Sequence, residues 1–129
     1  ESIRRQVFDL RDVLSSKPKY KALVKSAGQL DSVLTTVEGK MIQLKYTGTG
    51  QDDVRYPDML AGKIGYLANA VATGDFQPAD SHKEVYALLK GRLTEVEAEY
   101  NKVMTTHMPA FLKQLQDADI KPIVADTRK

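Results

Sequence analysis

The sequence predicts an all-α protein, an antiparallel up-down-up-down four-helix bundle. Four long segments place their apolar residues three or four positions apart, which puts one apolar stripe on one face of a helix. No segment has the two-residue alternation of a half-buried strand, and no unit of about 20 to 50 residues repeats. Four helices with one stripe each can bury those stripes against a common axis.

The first predicted helix covers residues 2–16 and the second covers residues 19–45. A Ser-Ser-Lys-Pro sequence at 15–18 separates the two, because proline cannot continue a helix. The second segment has the longest regular pattern in the chain. The stripe of the first helix consists of Ile3, Val7, Leu10 and Leu14. The stripe of the second helix consists of Tyr20, Leu23, Ala27, Leu30, Leu34, Val37, Met41 and Leu44.

The third predicted helix covers residues 57–73. Pro57 suits the first turn of a helix, where its missing N–H would have no partner, and Asp58 complements the positive end of the helix dipole. Gly74 suits the C′ position that ends the helix. Its predicted buried stripe consists of Tyr56, Leu60, Ile64, Leu67 and Val71.

The fourth predicted helix covers residues 81–108, with a kinked continuation to 116. Ser81 and Glu84 have the spacing of a capping box at its start. Pro109 removes a backbone donor, so it must kink this helix or begin a new turn. The predicted stripe consists of Tyr86, Leu89, Leu93, Val96, Tyr100 and Val103.

The composition favours one domain, placed at residues 1–120 with a C-terminal tail at 121–129. The chain has 129 residues and 19 Lys and Arg against 17 Asp and Glu, so its net charge of +2 does not favour nucleic acid as a partner. It has no cysteine, which excludes disulfides and thiolate metal sites. No apolar run approaches the roughly 20 residues of a membrane span, so membrane insertion is not expected. Helical periodicity from the first residues, without a signal-peptide pattern, indicates either a fragment of a longer protein or a processed N-terminus.

Candidate catalytic and metal-binding residues are few. Neither His82 nor His107 has a Glu three positions before it, as helical di-iron sites require. His107 continues the fourth stripe, so burial or ligation there stays open, although a satisfied or partly exposed histidine is favoured. No metal or other cofactor is predicted, and this chain by itself is not expected to be an enzyme.

Residues 47–57, Thr-Gly-Thr-Gly-Gln-Asp-Asp-Val-Arg-Tyr-Pro, form the longest glycine-rich connection. The loop lacks the Gly-Lys-Ser/Thr of a phosphate cradle, and Asp52 and Asp53 are adjacent rather than alternating as in calcium loops. Asp52, Asp53 and Tyr56 are retained as candidate interaction residues. A connector is favoured over a ligand site, because an aspartate can bond backbone N–H groups in a turn.

The one basic cluster has Lys17, Lys21 and Lys25 at four-residue spacing. Like charges at this spacing repel, and positive charge near a helix N-terminus opposes the dipole. These three lysines are predicted to form either a solvated face or a docking surface for a neighbouring domain. Tyr20, between them, belongs to the stripe and is expected in the core.

Several motifs resemble the C-terminal helical region of bacterial BNR-repeat, sortilin-like β-propeller proteins that are often described as glycosyl hydrolases. The similar stretches are Gln-Asp-Asp-Val-Arg-Tyr-Pro, Met-Leu-Ala-Gly-Lys-Ile-Gly-Tyr-Leu, Thr-Gly-Asp-Phe-Gln-Pro and Met-Pro-Ala-Phe-Leu. They cover parts of residues 1–120. The matching positions are Gln51, Asp52, Tyr56, Pro57, Leu60, Lys63, Gly74, Asp75, Pro78 and Phe111.

The resemblance has two departures. Ala79 stands where the family usually has Thr, which moves the expected helix cap to Asp80 or Ser81, and Leu112 stands where Asn is frequent. In such proteins the propeller, with its Asp-box repeats, would carry any hydrolytic site, and this chain contains no Asp-box and no tryptophan.

The resemblance therefore implies a non-catalytic accessory domain of a β-propeller, glycosyl-hydrolase-like protein. Its expected role is domain packing or protein interaction, with the propeller as partner and a periplasmic or extracellular location. The alternative is an independent four-helix module that binds a partner or ligand. Oligomeric state is left open.

Overall fold

A computed structural model describes residues 2–74 and 77–121 of the chain, and the side chain of Asp53 lies outside this description. These residues form six α-helices. A 3₁₀ turn at Pro18–Tyr20 lies between the first two helices, and a π-helical turn at Val103–His107 lies between the last two. The helices are α1 (Ser2–Ser15), α2 (Lys21–Met41), α3 (Asp52–Arg55), α4 (Leu60–Ala72), α5 (Asp80–Lys102) and α6 (Met108–Asp117).

The all-α class is confirmed, since residues 2–74 and 77–121 contain helices and no strand. The bounds of the four longest helices, α1, α2, α4 and α5, lie within four residues of the predicted ones with one exception. Helix α5 ends at Lys102, six residues before the predicted end at 108, because a π-helical turn follows it. The chain divides into two compact units, one of residues 1–36 with 100–129 and one of residues 37–99. The single domain at 1–120 stays a prediction, and the predicted tail lies outside the described residues apart from Lys121.

The first unit buries the apolar stripes of α1, the first half of α2, and α6. Val7 and Leu115 are fully buried, and burial of one such side chain stabilises the fold by about 1.5–3 kcal/mol relative to exposure. The other buried apolar residues of this unit are Leu14, Leu23, Ala27, Leu30, Leu34, Val103, Met108 and Phe111. The three-and-four spacing of the first two helices therefore identified most of this core.

A shared carboxylate links α1 to α2 in this unit. The Arg4 Nε atom lies 3.1 Å from Asp31 Oδ1, and Arg11 Nη1 lies 3.9 Å from Asp31 Oδ2. These side chains are partly exposed, so each pair contributes at most about 1 kcal/mol. Their main effect is to set the position of one helix along the other.

Pro109 begins a new helix, as one of the two predicted alternatives required. The N–H of Met108 donates to the carbonyl of Val103, five residues back, in the π-helical turn. Pro109 then lies in the first turn of α6, where it needs no N–H donor. The π-helical turn therefore accommodates Pro109 while α5 and α6 remain directly connected through helical residues.

The C-terminal end of α6 is closed by a Schellman motif. The N–H of Ile120 donates to the carbonyl of Leu115 at 2.9 Å, and Asp119 between them has a φ of 55°. This is the left-handed conformation in which glycine is usual and aspartate is tolerated.

Two helix boundaries in the second unit differ from the predicted ones. The second helix ends at Met41 rather than 45, and Leu44 is 42% exposed in the loop that follows. The third long helix begins at Leu60 rather than Pro57. Tyr56 precedes the proline and is extended, with φ −128° and ψ 116°, because a residue before proline avoids the helical region.

The predicted capping box at Ser81 and Glu84 was wrong. Helix α5 begins at Asp80, and the N–H groups of His82 and Lys83 donate to the carbonyl of Ala79. Ala79 therefore holds the N-cap position, although its side chain offers no acceptor. At the other end of this connection Gly74 follows the C-cap residue Thr73, as predicted.

None of the four tyrosines predicted to lie in apolar stripes is buried, and Tyr56 is half-buried in the loop before α4. Tyr86 is 58% exposed and Tyr100 is 44% exposed, whereas Leu89 and Val96 of the same stripe are buried. Tyr20 lies in the 3₁₀ turn and is half-buried, with Lys19 Nζ 4.6 Å from its ring centroid. A tyrosine carries its hydroxyl at the far end of the ring, which favours the edge of a stripe over its centre.

Two glycines of α4 should respond differently to alanine. Gly65→Ala should raise the free energy of unfolding by about 0.5–1 kcal/mol, because no atom lies within 4 Å of the added carbon and alanine favours helix. Gly62→Ala should gain less or lose stability, because its added carbon would lie 2.6 Å from Asp58 Oδ1. That carboxylate is held by the Tyr46 hydroxyl at 2.9 Å.

Urea unfolding of both variants measures this difference. In an Asp58→Ala background the Gly62→Ala gain should match that of Gly65→Ala. Equal gains at the two positions with Asp58 present would contradict the steric argument.

Candidate functional site: the loop at residues 42–59

The connection between α2 and α4 is organised by the carboxylate of Asp52. Its Oδ2 atom accepts hydrogen bonds from the backbone N–H groups of Thr47, Gly48 and Thr49 at 2.7, 2.7 and 3.2 Å. The N–H of Asp52 in turn donates to the carbonyl of Thr49 at 3.1 Å. One carboxylate thus holds three consecutive amide groups in a tight turn.

Two threonine hydroxyls complete the shell around Asp52. Thr47 Oγ1 and Thr49 Oγ1 donate to Asp52 Oδ1 at 2.9 and 3.3 Å, and the two hydroxyl oxygens lie 3.1 Å apart. Gly48 has a φ of +81°, a backbone conformation that other L-residues rarely adopt. The two threonines of the Thr-Gly-Thr sequence therefore supply the hydroxyl donors of this turn, and the glycine between them adopts the positive φ that the turn requires.

Asp52 is only 7% exposed, and it is the one buried polar or charged side chain in the described part of the chain. Burial by itself raises the pKa of the carboxyl, but the Thr47 hydroxyl and the amides of Thr47, Gly48 and Thr49 outweigh it. The pKa of Asp52 is therefore lowered from its ordinary value of 3.8, and the carboxylate stays ionised at neutral pH.

These contacts decide what the carboxylate can do chemically. An ionised carboxyl group has about four lone-pair sites, and five donors already surround Asp52. It has no remaining site for a metal ion, and its lowered pKa makes it a weak base. The prediction that an aspartate bonds backbone N–H groups in this loop is confirmed.

The loop presents an apolar side chain directly beyond this turn. Val54, in the four-residue helix α3, is 89% exposed, the highest exposure among the large apolar residues described. Its neighbour Arg55 donates from Nη2 to Gln51 Oε1 at 3.3 Å, which closes the side of the short helix. The turn fixed by Asp52 therefore holds Val54 in water.

The exit of the loop is fastened to the end of α2. Gln43 Nε2 donates to the carbonyl of Pro57 at 3.0 Å, and the Tyr46 hydroxyl donates to Asp58 Oδ1. Tyr56 is half-buried, with Lys45 Nζ 6.0 Å from its ring centroid. These contacts explain why Pro57 is not the start of a helix, since its carbonyl is already bonded to Gln43.

The candidate lysines lie in the other unit. Lys17 precedes the 3₁₀ turn, while Lys21 and Lys25 lie in the first two turns of α2, and all three are exposed. None of them forms an ion pair with a described residue. The lysine face therefore belongs to the first unit and the Asp52 loop to the second.

The histidines do not form a metal site within the described residues. His107 is exposed at the end of the π-helical turn, and His82 is half-buried near the start of α5. No group of three or more His, Cys, Asp and Glu residues that could hold a metal ion occurs in residues 2–74 and 77–121. In the same ranges no helix is long and apolar enough to cross a membrane.

The positions of the family resemblance have mainly framework roles. Leu60 and Phe111 are buried, Gln51 and Asp52 shape the loop, and Asp75 lies outside the described residues. Compared with known proteins, the chain matches no family model, no curated protein and no solved structure.

The residues of the site that the sequence analysis missed are Thr47, Thr49 and Val54. The Thr-Gly-Thr-Gly sequence before an aspartate is the signal that could have identified the two threonines. No sequence pattern indicated the exposure of Val54.

Removing the Asp52 carboxylate should open the turn. Asp52→Ala should accelerate hydrogen exchange at the amides of Thr47, Gly48 and Thr49, because their acceptor is lost. Asp52→Asn should have a smaller effect, since one amide oxygen can still accept. Amide exchange measured by NMR tests this order, with the amides of α1 as the internal control. Unchanged exchange at the three amides in Asp52→Ala would show that the carboxylate does not hold them.

The same carboxylate should make stability depend on acid pH. A lowered pKa in the folded state stabilises the fold above the ordinary value of 3.8, and this contribution is lost as pH falls through the folded pKa. The difference in free energy of unfolding between the native chain and Asp52→Asn should be constant above about pH 5 and shrink below it. Urea unfolding across this range measures it, and a difference that grows on acidification would reverse the assigned sign.

Proposed function

We propose that this chain is a non-catalytic helical accessory domain of a β-propeller, glycosyl-hydrolase-like protein, with a role in domain packing or protein interaction. The proposed partner is the propeller of the same parent protein, and the proposed location is periplasmic or extracellular. The family resemblance of the Gln-Asp…Tyr-Pro, Gly-Asp and Met-Pro-Ala-Phe motifs supports the parent and the location.

The single observation that carries the interaction role is the exposure of Val54 on a loop held by five hydrogen bonds to Asp52. An exposed apolar side chain on a mobile loop has little consequence, because its ordering would oppose binding. A side chain already held in place loses less entropy on contact. The loop around Asp52 thus has the properties of a prepared contact point for another protein surface.

The absence of a catalytic role for Asp52 follows from the same contacts. A general base needs a pKa near the working pH and a free lone pair, and a nucleophile needs access to substrate. Asp52 has a lowered pKa, 7% exposure and five donors around it. Its chemistry therefore supports a structural role rather than hydrolysis.

We also propose that the four long helices follow the up-down-up-down antiparallel order of a four-helix bundle. One apolar stripe on each helix and the short connections from α1 to α2 and from α4 to α5 favour this order, whereas residues 42–59 form a longer connection. The ion pair Arg4–Asp31 places α1 beside α2, and the 2.6 Å Lys40 Nζ–Glu99 Oε1 pair places α2 beside α5.

The second candidate function is an independent module that binds a partner or ligand through the lysine face. The specific observation in its favour is that Lys17, Lys21 and Lys25 are exposed and form no ion pair with a described residue. Lys21 and Lys25, four positions apart on α2, also repel each other. An acidic partner surface would relieve that repulsion.

The longer protein encoded by the same reading frame tests the first proposal. If the frame encodes a propeller, Val54→Asp should weaken contact between the propeller and this domain, seen as faster hydrogen exchange at the interface. Val13→Asp is the matched control, because Val13 is a valine of the other unit, 62% exposed on α1. A charge triple variant, Lys17→Glu, Lys21→Glu and Lys25→Glu, should leave that contact unchanged.

The outcomes separate the two candidates. A reading frame without a propeller, or equal effects of Val54→Asp and Val13→Asp, would contradict the accessory-domain proposal. Loss of partner binding in the lysine triple variant, with helicity retained, would favour the independent module instead.

A further inference from the structure

A cleft of about 480 Å³ lies between α4 and α5, within the unit of residues 37–99. This volume is within the range of about 300–1,000 Å³ in which small molecules bind. The cleft is separate from the Asp52 turn. Its lining residues are Asp58, Lys63, Tyr66, Leu67, Ala70, His82, Val85, Leu88, Leu89 and Arg92.

The cleft has a cationic end and an apolar middle. Lys63 and Arg92 also line a neighbouring cleft, so these two cations lie at the same end. The other residues that line the neighbouring cleft are Lys40, Met59, Leu60, Glu95 and Val96. Ala70 comes two helical turns after Lys63 on α4, and His82 comes almost three turns before Arg92 on α5. Tyr66, Leu67, Val85, Leu88 and Leu89 occupy the intervening turns of the two helices.

The two cations have no ion-pair partner among the described residues. Lys40 and Lys83, in the same unit, pair with Glu99 and Asp80 at 2.6 and 3.0 Å. The one acid that lines the cleft, Asp58, accepts the Tyr46 hydroxyl at 2.9 Å and is not within 4 Å of Lys63 or Arg92. Lys63 and Arg92 therefore have no direct ion pair with a described acid, and the acids nearest to them along the lining are Asp58 in this cleft and Glu95 in the neighbouring one.

The walls of the cleft are apolar side chains that water still reaches. Tyr66 is 78% exposed, Leu88 is 55% exposed and Val85 is 42% exposed, while Leu89 at 5% closes the floor. Covering these walls with an apolar group would release water from them. At the far end His82 Nδ1 is shielded from water and has no hydrogen-bond partner among the described residues.

We infer that the α4/α5 cleft binds a small amphiphilic monocarboxylate, with its apolar body along Tyr66, Val85 and Leu88 and its carboxylate at Lys63 and Arg92. The arrangement of charge and apolar surface along the cleft matches such a ligand from end to end. A concave site between two helices of one unit favours a small molecule over a flat protein surface. This inference goes beyond the proposed accessory role and does not depend on the identity of the parent protein.

Titration of the isolated chain with octanoate, compared with uncharged 1-octanol, tests the inference by NMR. Both should shift amide signals of Leu67 and Leu88, because both carry the apolar body. Octanoate should bind about fivefold more tightly, since two partly exposed charge contacts contribute modestly. Lys63→Gln with Arg92→Gln should abolish this preference and leave octanol binding unchanged.

Lys90→Gln is the matched control, because Lys90 is an exposed cation of α5 outside the cleft. It should keep the preference for octanoate. Leu88→Asn should weaken both ligands equally. Equal binding of octanoate and octanol by the native chain, or shifts centred elsewhere, such as around Val54, would overturn the inference. Failure of this test would leave the accessory-domain proposal intact, because that proposal depends on the loop around Asp52 and on the parent protein.

Discussion

Burial of one apolar stripe on each long helix is the constraint on which the rest of the structure depends. A helix with a single stripe cannot bury it alone, so each needs a partner surface. Val7, Leu30 and Leu115 in one unit, and Leu60 and Val96 in the other, are buried because of this requirement. Burial of the stripes limits the possible positions of the helices, and the connections, caps and ion pairs must be compatible with those positions.

Polar contacts fix features that the apolar stripes leave undetermined, namely the position of one helix along another and the conformation of a loop. Asp31 receives two arginines of α1 and so positions that helix along α2. Asp52 fixes the conformation of the loop. Burial of a carboxylate without hydrogen-bond donors would destabilise the fold, and the five donors around Asp52 offset this effect. The two aspartates differ in consequence. Asp31 joins two helices, whereas Asp52 shapes a surface, and only the second holds an apolar residue out in water.

Two surfaces of the second unit have different physical character, which is why they support different proposals. The loop around Asp52 presents the exposed Val54 on a four-residue helix next to a hydrogen-bonded turn, an arrangement suited to contact with another protein. The α4/α5 cleft is concave and changes from cationic to apolar along its length, a geometry suited to a small ligand. The lysine face of the other unit offers charge without apolar surface, so it supports only an electrostatic contact.

The amino-acid pattern by itself determined the all-α class, the approximate positions of the four long helices, an irregularity in the fourth helix at Pro109 and the role of Asp52 as a turn former. These features depend on neighbours within a few positions, and helical periodicity or turn chemistry records them directly. Only the tertiary structure decided that Tyr86 and Tyr100 face water, that Ala79 rather than Ser81 caps α5, and that Pro57 precedes α4. It also placed Lys63 and Arg92 at one end of a cleft. Those outcomes depend on contacts between residues distant in sequence, such as Gln43 with Pro57, and no local pattern contains them.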